Sequence, residues 1–291
     1  MQPEIVKFSG PLDLDRTFSS GQCFRWVKKG DAYEGVVEHR AFSLLLKEGR
    51  LFVTSDTPGA GEFIRSYLDL DTDYDRIEHE LSAAGGILKD ACQYGSGLRL
   101  LRQHPWETLI SFIISANNNI RRITGVIDRM CRWLGTPTMW PDMYGFPVPE
   151  RLSACSEAEL RALGLGYRAP YVREAALMVA SGAIDLEHLH TLPEEEMRKQ
   201  LLKVPGVGRK VADCVMLFAY RQTSVCPVDV WMKRALLAFY VEAPCAKVED
   251  MRRLFLRRHG CLSGFAQNYL FYYLRNCPSL VGPDSPAPHK P

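Results

Sequence analysis

A lysine, Lys210, stands two residues after the second glycine of Val204-Pro205-Gly206-Val207-Gly208, and an aspartate, Asp229, follows 19 residues later. The glycines let the chain turn tightly and bare backbone N–H groups at the start of the helix that Arg209-Lys210 opens. Outward amides and the positive end of a helix dipole favour an anion, so Gly206, Val207 and Gly208 are candidates to hold a phosphate. Lys210 falls in the first helical turn, where the dipole disfavours an ammonium. A partly buried amine so placed can serve as a nucleophile. Its plainer role is an exposed lysine that helps bind the phosphate. Asp229 precedes a helical pattern and suits an N-cap, and a capping carboxylate near Lys210 can also stabilise a cationic transition state. Cys214 lies four residues after Lys210 on the same helix face. That makes it a candidate pocket wall, or simply a small buried hydrophobe.

These residues need elements to position them. Helical patterns over Glu194–Val204 and Arg209–Ala219 flank the glycine turn, giving a helix-hairpin-helix at about 194–220. Such hairpins grip the DNA backbone in several classes of protein, so the hairpin alone points to DNA more strongly than to catalysis. Alternation and turn residues predict antiparallel strands over Gln22–Trp26, Tyr33–Glu38, Ala41–Lys47 and Arg50–Ser55. Helical signals follow over Glu62–Leu68 and Tyr74–Ala83, the second ending at Gly85-Gly86. Pro105 opens a helix apolar almost all round and therefore central, which stops at Asn117-Asn118-Asn119. Amphipathic Ile120–Leu134 comes next, then a loop with four prolines between 137 and 149, and a capping box at Ser156-x-x-Glu159. Helices over Arg168–Ser181, Asp229–Tyr240, Val248–His259 and Ser263–Arg275 complete the pattern. The expected fold class is α+β: a small N-terminal antiparallel β-sheet domain at 1–95 packed on a two-lobed all-α core at 96–280. Residues 281–291, rich in proline, are expected to be a disordered tail.

At 291 residues, 46% hydrophobic and 24% charged, the chain can bury a sizeable core as an ordinary globular protein. No apolar run approaches the roughly 20 residues needed to cross a bilayer, and the N-terminus has no basic or apolar leader. The expectation is a protein of the cytoplasm or nucleoid in a bacterium, or of the nucleus in a eukaryote. The net charge of +2 is unevenly spread, with 11 Lys/Arg against 16 Asp/Glu in residues 1–95 and 25 against 18 in the remainder. The helical part can therefore turn a positive face to a polyanion. The nine cysteines, at 23, 92, 131, 155, 214, 226, 245, 261 and 277, follow neither disulfide, zinc nor iron–sulfur spacing, so free thiols are expected.

The segment VPGVGRKVADC with PVDV after it resembles the helix-hairpin-helix/Gly-Pro-Asp superfamily of DNA glycosylases. Within it the chain is similar to the bifunctional 8-oxoguanine DNA glycosylase/AP lyases. The likeness extends to SGQCFRW at 20–26, SANNNIRRITG at 115–125, LGLGYRAPYV at 163–172 and GFAQNYLF at 264–271, in the family's order and up to about residue 277.

The resemblance implies roles, position by position. Lys210 matches the amine that attacks C1′ of the damaged nucleotide, expels the base as a Schiff base forms, and so permits strand nicking by β-elimination. Asp229 matches the carboxylate that stabilises positive charge developing on the sugar. The base must leave the stack to be reached. Phe271 matches the aromatic on one face of the flipped base, with Cys214 on the other, and Gln267 the amide that reads its Watson–Crick edge. Gly21 matches the glycine whose carbonyl accepts from N7–H, a donor that guanine lacks. Asn117, Arg122, Tyr167 and Arg168 match the group that fills the gap and holds the orphaned cytosine. In the absence of that likeness, NNN reads as a helix stop, Tyr167-Arg168 as a helix start, Phe271 as core, Gln267 as surface and Gly21 as a turn.

Trp231 departs from the family, because animal members carry a phosphate-contacting histidine there and an indole carries no charge. Members also bind a monovalent or divalent cation through hairpin carbonyls, here those of Leu202, Val204 and Val207; no other cofactor is implied. The implied partner is duplex DNA carrying 8-oxoguanine opposite cytosine, met by a monomer away from any membrane. Two other readings stand beside this one. A superfamily glycosylase for alkylated purines or oxidised pyrimidines generally lacks the lysine or carries a four-cysteine cluster. A non-catalytic DNA-binding hairpin needs neither the Lys210/Asp229 pair nor the Gln267/Phe271 pocket.

Overall fold

The computed structural model describes residues 2–240 and 247–282. Cys245 and the expected tail from residue 283 onward lie outside the described residues.

Five antiparallel strands form one sheet: β1 (Glu4–Val6), β2 (Trp26–Lys29), β3 (Ala32–Val37), β4 (Arg40–Lys47) and β5 (Arg50–Ser55), in the order β1-β5-β4-β3-β2. The β4–β5 hairpin turns through Glu48 (φ 52°) and Gly49 (φ 69°), the paired left-handed conformation that tight hairpins require. Register is set by alternation: Tyr33 and Leu44 face each other, as do Leu44 and Val53, and all three are buried on one face. That face packs on α1 (Leu14–Ser19) and α2 (Ala60–Tyr67), around Phe18, Ile64 and Tyr67.

Gln22–Trp26 is not the strand that its pattern predicts; pairing begins only at Trp26. Gln22 instead turns its side chain inward. Its amide donates to the carbonyls of Thr17 (3.1 Å) and Arg99 (2.8 Å) and accepts from Leu101 N–H (2.9 Å). A loop pinned in this way is free to leave the sheet at Gly21.

The helices that follow are α3 (Tyr74–Ala83), α4 (Gly86–Gly95), α5 (Pro105–Ser115), α6 (Ile120–Leu134), α7 (Pro149–Ser153), α8 (Glu157–Ala162), α9 (Ala169–Ala180) and α10 (Leu186–Leu189). They continue with α11 (Glu194–Leu201), α12 (Arg209–Phe218), α13 (Val230–Phe239), α14 (Val248–His259) and α15 (Ser263–Asn276). Helix α5 is the central one, with Leu109, Ile110, Ile113 and Ile114 all at most 1% exposed. One lobe gathers α6 to α10 against α5, the other gathers α3, α4 and α13 to α15, and α12 packs on α5 between them. A single buried core runs through both lobes.

Packing does not break at residue 95. Helices α3 and α4 belong to the lobe of α15, where Tyr269 donates to Glu78 (2.9 Å) and lies so close to Gly95 that a Cβ there would meet its ring at 2.7 Å. The capping box at Ser156 and Glu159 forms as its spacing predicts. Among the described residues no helix is long and apolar enough to cross a membrane, and eight cysteines are free.

Candidate active site

The hairpin forms as its sequence requires, but its two glycines differ. Gly206 has φ +81°, and an added Cβ would strike the Tyr171 ring at 2.8 Å. Gly208, the N-cap of α12, is extended (φ −89°, ψ 179°) and faces open space. The left-handed turn therefore demands only Gly206. Val207 departs from its expected role, because its N–H donates to Val204 C=O (3.0 Å) and closes the turn. The outward donors are the unpaired amides of the first turn of α12, beginning at Arg209 and Lys210. Arg198 of α11 clamps the hairpin by donating to buried Asp213 of α12 (2.8 Å).

Lys210 leaves that turn towards a pocket. Its Nζ donates to Ser115 Oγ (3.3 Å) and lies 5.0 Å from the centre of the Phe112 ring, whose negative face suits an ammonium. Phe112 is held by stacking on Phe218 at 5.4 Å. Asp229 caps α13 through Met232 N–H (2.9 Å). Burial pushes its carboxyl above the usual range, while Met232 N–H and the charge of Lys210 draw it back. Cys214 is buried beside them, and burial pushes its thiol up to about 12, so it is an uncharged wall.

The pocket, about 370 Å³ including its open mouth, joins the far ends of the chain. Gly21, Lys210, Cys214, Asp229, Gln267 and Phe271 all line it, so every catalytic or base-pocket candidate from the sequence converges there. Gly21 has φ +87°, and an added Cβ would meet Arg275 at 2.9 Å and Phe271 at 3.1 Å. Gln267 is 5% exposed, and its Oε1 is buried with no hydrogen-bond partner.

The gap-filling candidates form a second group beside the mouth. Tyr167 is 49% exposed and its hydroxyl donates to Ala116 C=O (3.1 Å). Asn117 is exposed with φ 49°, and Arg122 is exposed in the first turn of α6. Arg168 differs from these three. It is 3% exposed, donates to the carbonyls of Ala116 and Asn117 (2.7 Å to the latter), and so fixes the turn that presents Asn117. Its Nε and Nη2 are spent on that turn. Trp231 is half-buried in the first turn of α13, with the Arg234 guanidinium 4.6 Å from its ring centre.

Sequence reasoning missed Phe112, Ser115, Gln22, Asn268 and Arg275, which support or line the same pocket. Asn268 and Gln22 adjoin predicted residues, and that adjacency was the one available signal. Among the described residues no group of three or more His, Cys, Asp or Glu could hold a metal.

The family description "8-oxoguanine DNA glycosylase, N-terminal domain" matches residues 5–109, and "HhH-GPD superfamily base excision DNA repair protein" matches residues 110–258. The chain belongs to the HhH-GPD superfamily. Its N-terminal match puts it on the 8-oxoguanine glycosylase branch, and a curated relative agrees. N-glycosylase/DNA lyase OGG1 of Arabidopsis thaliana is 33% identical over 284 residues, covering 89% of this chain and 76% of that protein. Among solved structures, MBOgg1 bound to a low-affinity DNA ligand superposes with a TM-score of 0.91 at 37% identity, covering 96% of this chain and 97% of that one. The 8-oxoguanine glycosylase/lyase of Clostridium acetobutylicum, bound to duplex DNA containing cytosine opposite 8-oxoguanine, has a TM-score of 0.90 at 33% identity, covering 95% and 96%. As an HhH-GPD protein of this branch the chain is a DNA glycosylase with lyase activity, and duplex DNA is its partner.

Proposed function

We propose that this enzyme removes 8-oxoguanine, preferentially opposite cytosine, through a covalent intermediate on Lys210 and then nicks the strand. The observation that carries this reading is the single pocket shared by Lys210, Asp229, Cys214, Gly21, Gln267 and Phe271. The Lys210 amine attacks C1′ as it gives up a proton, and the bond from C1′ to the base nitrogen breaks, with the electron pair leaving on the base, which takes a proton. The C1′–O4′ bond of the resulting aminal then breaks, with O4′ taking a proton, as an imine forms between Lys210 and C1′. Loss of a C2′ proton then expels the 3′ phosphate, which is β-elimination. Asp229, which lines the same pocket, would stabilise positive charge on the sugar as the base departs. The Gly21 carbonyl supplies an acceptor for N7–H, present in 8-oxoguanine and absent in guanine. Asn117, Arg122 and Tyr167 would occupy the gap and contact the cytosine, with Arg168 holding their turn.

The backbone of the hairpin fits a structural cation: no backbone hydrogen bond reaches the carbonyls of Leu202 or Val207, and carbonyl oxygens suit a hard ion. A cation there would stiffen the turn beneath the phosphate. We read the enzyme as a monomer that acts where its DNA substrate lies, in the nucleoid of a bacterium or the nucleus of a eukaryote.

Borohydride trapping tests the chemistry on duplexes with one 8-oxoguanine opposite each of the four bases. The wild type should give a covalent adduct, fastest opposite cytosine, and Lys210→Gln none. Base release by Lys210→Gln at the wild-type rate would remove Lys210 as nucleophile. An Arg122→Ala variant that kept the full cytosine preference would remove Arg122 from opposite-base reading.

A further inference from the structure

Five buried side-chain nitrogen or oxygen atoms among the described residues lack a hydrogen-bond partner, and three of them lie on α15: Gln267 Oε1, Asn268 Nδ2 and Arg275 Nη1. Buried polar groups are normally satisfied, so such a concentration on one helix points to an absent partner. Arg275 is accounted for by its place, since its other nitrogen donates to Ser19 C=O and its guanidinium lies 5.3 Å from the Phe271 ring centre. It braces the Gly21 loop and the stacking ring. Asn268 has no such use. It is 3% exposed and lines the same pocket as Lys210, Cys214, Asp229 and Gln267.

Gln267 thus carries an unpaired acceptor and its neighbour Asn268 an unpaired donor, and both residues line the pocket. An acceptor beside a donor complements a lactam edge, in which a ring N–H adjoins a carbonyl. Guanine-type bases carry that edge as N1–H and O6, whereas adenine-type bases reverse it, with an acceptor at N1 and a donor at N6. We propose that Asn268 is a base-contacting residue that donates from Nδ2 to O6 of the flipped oxopurine while Gln267 accepts from N1–H. The pair then reads the oxopurine as guanine-type, a decision separate from the N7–H contact at Gly21. Asn268 so placed rejects 8-oxoadenine, which shares N7–H and O8 with the substrate. This rests on the 8-oxoguanine reading given above.

The test is single-turnover excision of 8-oxoguanine and of 8-oxoadenine, each from the same duplex, by wild type, Asn268→Ala, Asn268→Asp and Asn268→Ser. The readout is the ratio of the two rate constants, which does not depend on the fraction of enzyme that is folded. Asn268→Ala should lower the ratio about tenfold, as expected for one neutral hydrogen bond. Asn268→Asp, which keeps the shape and exchanges donor for acceptor, should lower it further, and Asn268→Ser should recover part of it by restoring a donor. A ratio within about twofold of wild type in both the Ala and Asp variants, at a cost shared equally by the two lesions, overturns the proposal. If the wild type itself leaves 8-oxoguanine in place, the 8-oxoguanine reading fails first; excision by wild type with an unmoved ratio sinks Asn268 alone.

Discussion

The carboxyl of Asp229 is buried, and burial raises its pKa against the opposing pull of Met232 N–H and Lys210. A carboxyl raised in the folded state favours folding below the ordinary aspartate range, and that contribution is lost as pH climbs through its folded pKa. At neutral pH the ionised group therefore opposes folding, although its N-cap helps it. Asn caps as well as Asp, so Asp229→Asn should hold or raise the melting temperature while slowing single-turnover excision by roughly 10²–10³-fold. The wild-type rate should fall on the acid side above the usual aspartate range, and the Asn variant should lose that limb. An unshifted limb in Asp229→Asn would assign it to another group. Gly21→Ala forces a side chain onto a left-handed backbone and into Arg275 and Phe271. It should cost about 1–2 kcal/mol of stability and narrow the measured preference for 8-oxoguanine over guanine. Lys210 and Asp229 were legible because a lysine after a glycine turn and a capping carboxylate are local patterns. Gln22 and Asn268 were not, because a neutral amide reveals its task only through the groups that surround it.

At the scale of elements, the hairpin separates what the fold needs from what DNA needs. Gly206→Ala meets the Tyr171 ring at a left-handed position and should lower stability by about 1–2 kcal/mol. Gly208→Ala enters open space from an extended backbone, so its stability should stay within about 1 kcal/mol of wild type. Its affinity for duplex DNA should nevertheless fall, since the added methyl stands where a phosphate would approach the amides. Equal losses of stability in the two variants would contradict that separation. The long helices and the strands from residue 32 to 55 were legible from periodicity. Helix α4 was not, because it opens on Gly85-Gly86, which reads as a stop. Short α1, α7 and α10 carry too few turns for a period to show, although Asp13 and Asp185 cap two of them as composition allows.

Across the whole molecule the two cores meet at Asp69, whose side chain is buried. It accepts from Tyr74 Oη (3.0 Å), Thr72 Oγ1 (2.9 Å), Arg102 Nη2 (2.9 Å) and Arg221 Nη1 (2.6 Å). Asp69 lies at φ 53°, which Asn tolerates, so Asp69→Asn removes the charge with little change of shape. It should cost about 3 kcal/mol, the lower end for a broken buried pair because Arg102 is half exposed, and calorimetry should show a melting point lower by several degrees. An unchanged melting point would mean that the arginines find other partners.

Helix α15 also sets an order of events during synthesis. Lys210 and Asp229 are translated some 40 to 60 residues before Gln267, Asn268 and Phe271, yet α15 contributes Ala266, Tyr269, Leu270 and Leu274 to the common core, each at most 1% exposed. A nascent chain that has emerged only as far as Asp229 lacks the residues that complete that core. Lys210 and Asp229 therefore gain their full scaffold in the same step that brings Gln267 and Asn268 to the pocket.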